Sequence, residues 1–160
     1  MMAPNHPGGS MRVSDLMTAD VFTLSSRSLL IDAEEVMGLR RCRHLPVVDQ
    51  GRMVGLITHR DLLRASLSQK KGHVEQAIAK ARINVADVMH TDVATVHPDT
   101  LAVDAADALV QHKYGCLPVV GDDGQLVGIV TEADFVRLAA ILLGLASEDG
   151  ALMAKVEARL

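Results

Sequence analysis

Val54-Gly55-Leu56-Ile57-Thr58-His59-Arg60-Asp61 returns later in the chain as Val127-Gly128-Ile129-Val130-Thr131-Glu132-Ala133-Asp134. Each copy reads as a buried apolar strand that runs into a Thr and, three residues on, an Asp at the mouth of a helix. A Thr and an acid at this spacing form a capping box, in which the two side chains satisfy amides that the helix start leaves open. The same arrangement sets a hydroxyl and a carboxylate beside unpaired N–H groups at the positive end of the helix dipole, which suits an anionic ligand. Structure and function therefore offer competing explanations of one stretch, and the rest of the chain must decide between them.

Working outward, the two stretches belong to a longer repeat. Residues 13–49 align with 85–121, and 51–64 align with 124–137 after a one-residue insertion in the turn; 19 of the 51 aligned positions are identical. The shared residues include Asp15/Asp87, Met17/Met89, Asp20/Asp92, Thr23/Thr95, Asp32/Asp104 and the segments Leu45-Pro46-Val47-Val48 and Leu117-Pro118-Val119-Val120.

The local pattern within each copy predicts β-α-β-β-α. In the first, Val21 to Leu24 is a short strand and Ser28 caps a helix reaching about Arg40. Leu45 to Val48 is a second strand, Asp49-Gln50-Gly51 a turn, Met53 to Ile57 a third strand, and Thr58 opens the last helix. In the second copy the corresponding strand is Val93 to Val96 and the helix runs from Thr100 to about Lys113. Strands Leu117 to Val120 and Leu126 to Val130 follow, and the terminal helix starts at Glu132. That helix is apolar through Leu138, Ile141, Leu142 and Leu143, which predicts burial against another surface such as a second subunit. The expected division is a disordered 1–11, a first repeat at 12–66, a connector at 67–84 with a helix through Val74 to Arg82, a second repeat at 85–147 and a helical tail at 148–160. A unit of about 55 residues has little interior of its own, so the two repeats are expected to pack face to face in an α/β (α+β) fold of approximate two-fold symmetry.

Composition narrows the partners. Aromatic residues are 2% of a chain that is 49% apolar, and the net charge is −4. Nucleic-acid surfaces need a concentrated basic field and often aromatic platforms, so no nucleic-acid partner is expected. The longest apolar run is too short for a bilayer, so a cytoplasmic protein with no membrane association is expected. Cys42 and Cys116 lack metal or disulfide spacing and read as small thiols, with a redox role as the alternative. The histidines show no metal-site spacing, and no nucleophile elbow, Walker lysine or glycine-rich dinucleotide turn occurs; no enzyme activity and no required cofactor are expected.

The duplicated unit, its LPVVD and LPVVG strands, and the GLITHRD and GIVTEAD stretches resemble a tandem pair of cystathionine β-synthase (CBS) domains, the Bateman module. The resemblance implies a non-catalytic sensor of adenosine-containing ligands such as AMP, ADP, ATP, NAD or S-adenosylmethionine, acting as a homodimer on a separate target protein. It also implies pockets that take Thr and Asp from one repeat and adenine contacts from the other. Thr58 and Asp61 would then face Met89, Ala94, Tyr114, Gly115 and Cys116, and Thr131 and Asp134 would face Met17, Phe22, Cys42, Arg43 and His44. Gly55 and Gly128 would let a ligand approach the strand closely.

The copies differ in charge. The first has Arg40-Arg41-Cys42-Arg43-His44 and His59-Arg60 where the second has His112-Lys113-Tyr114-Gly115-Cys116 and Glu132-Ala133. The Thr58/Asp61 site is therefore expected to prefer the more phosphorylated ligand, unless these cations only complement helix ends in water. A constitutive dimerisation or adaptor protein, with the Thr–Asp pairs as caps alone, is the competing reading.

Overall fold

The computed structural model describes residues 11–67, 72–143 and 154. Along the chain these form helices α1 (Val13–Leu16) and α2 (Leu30–Arg40), strands β1 (His44–Asp49) and β2 (Arg52–Thr58), and helices α3 (His59–Leu67) and α4 (His73–Lys80). A 3₁₀ turn at Val85–Asp87 precedes α5 (Ala102–His112), β3 (Cys116–Val120), β4 (Leu126–Thr131) and α6 (Glu132–Leu142). The fold is α+β, with two-stranded sheets β1-β2 and β3-β4.

Each predicted hairpin forms for the predicted reason. Antiparallel pairing of β1 with β2 sets His44 opposite Thr58, Leu45 opposite Ile57 and Val47 opposite Gly55, with a register shift before Val48. The turn is made by Gln50 and Gly51, both at positive φ; Gly124 adopts the same φ of 79° in the second hairpin. Positive φ carries no Cβ penalty for glycine. Leu45, Val47 and Ile57 are buried on one side of the first hairpin, and Leu117, Val119 and Val130 in the second.

Helix starts lie one residue beyond Ser28 and later than Thr100. The N-cap residues are Leu29 and Leu101. Leu29 has no capping side chain, so its own amide is satisfied by Asp32 Oδ2 at 2.8 Å. Ser28 Oγ instead accepts from the amide of Ser25, and Thr100 Oγ1 from that of His97, closing the turn ahead of each helix. The strands expected at Val21 to Leu24 and Val93 to Val96 contract to single parallel bridges, Leu24 with Val47 and Val96 with Val119. A bond on each side of one residue is all these short segments can supply.

The chain divides into two compact units that are offset from the sequence repeats. One, the Thr131 unit, takes the chain up to Asp20, Ala94–Asp123 and the chain from Val127; the other, the Thr58 unit, takes Val21–Val93 and Gly124–Leu126. Burial drives the offset. Val13 and Leu16 of α1 pack with Ala102, Leu109, Leu117, Val119, Val130 and Ile141, while Val85 packs with Leu30, Met37, Leu45, Ile57 and Leu62. Backbone bonds fix the same arrangement: Thr18 exchanges hydrogen bonds with Ile129 at 2.9 and 3.0 Å, and His90 exchanges them with Leu56 at 2.9 Å each way. Each unit thus borrows its first segment from the other repeat.

Gly55 and Gly128 serve this exchange. A Cβ on Gly55 would lie 2.6 Å from Met89 Sδ and 2.9 Å from the His90 carbonyl oxygen. On Gly128 it would lie 2.5 Å from Met17 Sδ and 3.0 Å from the Thr18 carbonyl oxygen. The close approach expected of a ligand is made by the protein's own chain.

Helix α6 is less uniformly greasy in place than in sequence. Phe135, Leu138 and Ile141 pack into the core of the Thr131 unit, whereas Val136, Leu142 and Leu143 remain exposed. Among the described residues no helix is long and apolar enough to cross a membrane. The N-terminal segment before Met11 and the tail after Gly150, apart from Ala154, lie outside the described residues.

Candidate functional site

Both strand-to-helix junctions carry the reciprocal capping geometry. Asp61 Oδ2 accepts from the Thr58 amide at 2.9 Å and from the Thr58 hydroxyl at 2.6 Å, and the Asp61 amide reaches back to Thr58 Oγ1 at 3.4 Å. Asp134 Oδ2 accepts from the Thr131 amide and hydroxyl, each at 2.8 Å. Asp61 and Asp134 are 4% and 6% exposed, the only acids among the buried residues described. Burial is the largest influence on Asp61 and pushes its pKa up. The Thr58 hydroxyl and amide, helped by His90, outweigh it and hold the carboxyl below its ordinary range.

The capping oxygen is only half of each carboxylate. Asp61 Oδ1 lies 3.1 Å from His90 Nε2 and 4.0 Å from Arg64 Nη1. Asp134 Oδ1 accepts from Arg137 Nη1 at 3.1 Å. These side chains are themselves half or more exposed, with His90 at 54% and Arg137 at 50%. They meet the second carboxylate oxygen from partly exposed positions, while the carboxylates themselves are buried. Sequence reasoning missed all three. A usable signal was present for the arginines, which stand three residues after the acid in both copies. For His90 the aligned position holds Thr18, so repeat comparison pointed away from it.

The helix-start amides are less open than a bare helix end. The His59 amide donates to the Arg43 carbonyl at 2.9 Å, and the Glu132 amide to the Gly115 carbonyl at 3.4 Å. With the Asp61 amide turned to Thr58, part of the expected ring of free donors is used within the protein.

The remaining residues implied by the resemblance fall as follows. The Thr58 unit contains Met89, Phe22, Cys42, Arg43 and His44, and the Thr131 unit contains Met17, Ala94, Tyr114, Gly115 and Cys116. Arg43 and His44 stand beside Thr58 and His59 through the strand pairing and the amide bond just described. Phe22 lies under the Arg40 guanidinium, 4.3 Å from the ring centroid, and Tyr114 stacks on His112 at 5.2 Å. Cys116 is buried, and desolvation pushes its thiol up to about 12. Desolvation, partly offset by a backbone hydrogen bond, also raises Cys42. Both shifts run away from the thiolate form. No group of three or more His, Cys, Asp or Glu among the described residues could hold a metal ion.

The CBS domain model matches residues 13–68 and 85–141. The CBS domain-containing protein YhcV of Bacillus subtilis is 32% identical over 76% of this chain and 81% of its own length. A homoserine O-acetyltransferase of Methanohalophilus mahii is also 32% identical, over 77% of this chain, but the chain spans only 23% of that enzyme's length. Among solved structures, a protein assigned to acetoin utilization (AcuB) from Vibrio cholerae superposes with a TM-score of 0.72 at 38% identity, covering 84% of this chain and 94% of that one. CBSX2, solved from Arabidopsis thaliana and also in complex with AMP, gives 0.71 for the complex at 30% identity, covering 83% and 98%. The CBS domain pair of protein MJ0100, in complex with 5′-methylthioadenosine and S-adenosyl-L-methionine, gives 0.67 at 27% identity, covering 82% and 98%.

Proposed function

The chain belongs to the CBS domain family, and on that premise we propose that it is a non-catalytic regulatory module that binds an adenosine-containing ligand at its two Thr–Asp junctions. The observation that carries this reading is the division of labour within each carboxylate. One oxygen caps the helix, while the other meets the side chain of a half-exposed residue, His90 at Asp61 and Arg137 at Asp134. A cap alone uses one oxygen. A ribose diol needs a second, accessible acceptor on a preorganised, ionised carboxylate, and burial of Asp61 and Asp134 fixes that acceptor in place. Adenosine is the moiety common to AMP, 5′-methylthioadenosine and S-adenosylmethionine, the molecules bound by the related structures.

The two sites take different ligands in this account. Arg43, His44, His59 and Arg60 gather around the Thr58 junction, where the other copy has Gly115, Cys116, Glu132 and Ala133. The Thr58 site therefore favours ATP or ADP, and the Thr131 site favours AMP or a ligand with no phosphate. The protein works in the cytoplasm as a homodimer that reports to a separate target protein. Exposed Val136, Leu142 and Leu143 on α6 supply an apolar surface for the second copy.

A specific observation supports the competing adaptor reading: the His59 and Asp61 amides are already bonded within the protein. Thermal shift with AMP, ADP, ATP, NAD and S-adenosylmethionine separates the two. Binding to the folded state raises its melting temperature by mass action, so at least one of these ligands is expected to stabilise the protein. No shift at millimolar ligand, with the protein verified free of nucleotide, would leave the adaptor reading.

A further inference from the structure

The junctions share their Thr, their Asp and the arginine three residues later, yet a different side chain meets the second carboxylate oxygen at each. At Asp134 it is Arg137, at 3.1 Å. At Asp61 the matching Arg64 stands off at 4.0 Å and His90 takes the place, at 3.1 Å. His90 reaches it because its backbone is pinned to Leu56, two residues ahead of Thr58, by hydrogen bonds in both directions. The residue pinned in the same way in the other unit is Thr18, whose side chain is too short to compete.

We propose that His90 is a specificity-determining residue of the Asp61 site: it competes with the ligand's ribose for Asp61 Oδ1, and its protonation sets how strongly the site binds. The inference rests on the adenosine reading of the junctions and goes beyond it, because it makes one of the two sites responsive to pH.

The chemistry fixes the sign. An imidazolium donates a charge-assisted hydrogen bond to a carboxylate, roughly twice as strong as the bond from a neutral ring. Deprotonation removes the charge from an imidazolium, so a histidine competitor on Asp61 weakens as pH rises. Arginine stays charged throughout, so the competitor on Asp134 does not change. Asp61 of α3 is the charged group in contact with His90, Arg64 reaches the same oxygen at 4.0 Å, and His44, opposite Thr58, together with His59 and Arg60, stands at the same junction. Strand β2 brings Leu56 against it and carries its one charged residue, Arg52, at the opposite end. On its own segment the nearest charged residues, Asp87 and Asp92, are exposed. Because His90 is half exposed, solvent screens the pair and the effect is modest, about three- to tenfold in affinity.

Calorimetric titration with adenosine tests the proposal, since adenosine carries no phosphate of its own to titrate. In the Asp134→Asn protein, where only the Asp61 site retains its carboxylate, adenosine is expected to bind about three- to tenfold more tightly near pH 8 than near pH 5.5. Adding His90→Thr should abolish the dependence and give tight binding at both pH values; His90→Gln, which keeps a neutral donor, should also be flat. The reciprocal Asp61→Asn protein should bind equally at both. Equal affinity at the two pH values in Asp134→Asn, unchanged by either His90 substitution, overturns the role of His90 and leaves the adenosine sites standing. Absence of adenosine binding by the unsubstituted protein at both pH values overturns the adenosine reading and this inference together.

Discussion

Set side by side, the Thr58 and Thr131 junctions are the same device built twice and finished differently. Thr58–Asp61 and Thr131–Asp134 cap their helices with matching bonds, and both sit behind a glycine on which a methionine from the other repeat is packed. Their surroundings diverge. His90, Arg43, His59 and Arg60 stand at the first, and Thr18, Gly115, Glu132 and Ala133 at the second. Internal bonding held constant through duplication is what stability demands of both copies. The outward-facing differences are free to vary without cost to the fold, and the proposed difference in ligand preference rests on them.

The largest effects probe the shared part. Gly55→Ala and Gly128→Ala each force a Cβ against a carbonyl oxygen and a methionine sulfur, and the backbone member of that pair cannot rotate away. Each is expected to destabilise by about 1–3 kcal/mol, measured by urea denaturation. A cost under about 0.5 kcal/mol at one position, with the full cost at the other, breaks the equivalence of the junctions.

Asp61→Asn tests the carboxylate. Asparagine can still accept from the Thr58 amide but loses the charge, so a loss of about 1 kcal/mol is expected near neutrality. Because folding lowers the Asp61 pKa, its ionised form contributes stability in full above the ordinary carboxylate value of about 4. That contribution fades as the pH falls below this value toward the lower pKa of the folded state. The gap between wild type and Asp61→Asn should therefore close as pH falls from about 5 to about 3, and a gap that widens contradicts the assignment.

The smallest effect concerns a feature one unit lacks. Phe22 sits under Arg40 while Ala94 occupies its counterpart position, so Phe22→Ala is expected to cost about 0.5–1 kcal/mol. A larger loss would mean that the ring carries core packing, at odds with its 44% exposure.

Hairpins, helices and the duplication were legible because alternation, turn residues and self-similarity are local signals. Helix starts were misplaced at Ser28 and Thr100, where a hydroxyl closes the preceding turn; at the first of them Asp32, three residues into the helix, does the capping from inside. The exchange of first segments was not legible. Thr18 pairs with Ile129, and nothing local in either stretch records a partner so far along the chain. At the candidate site, the capping pairs Thr58–Asp61 and Thr131–Asp134 were legible from their spacing, while a ligand role for them rested on the duplication and the family resemblance. His90 was not legible, because its meeting with Asp61 depends on that exchange and on a side-chain direction the sequence does not carry.

Calorimetric titration of AMP into wild type, Asp61→Asn, Asp134→Asn and the double variant addresses the account most directly. The account predicts that each single variant loses one class of site and that the double variant, while folded, binds no AMP. AMP binding by the folded double variant with wild-type affinity and stoichiometry would contradict it and reduce both Thr–Asp pairs to helix caps.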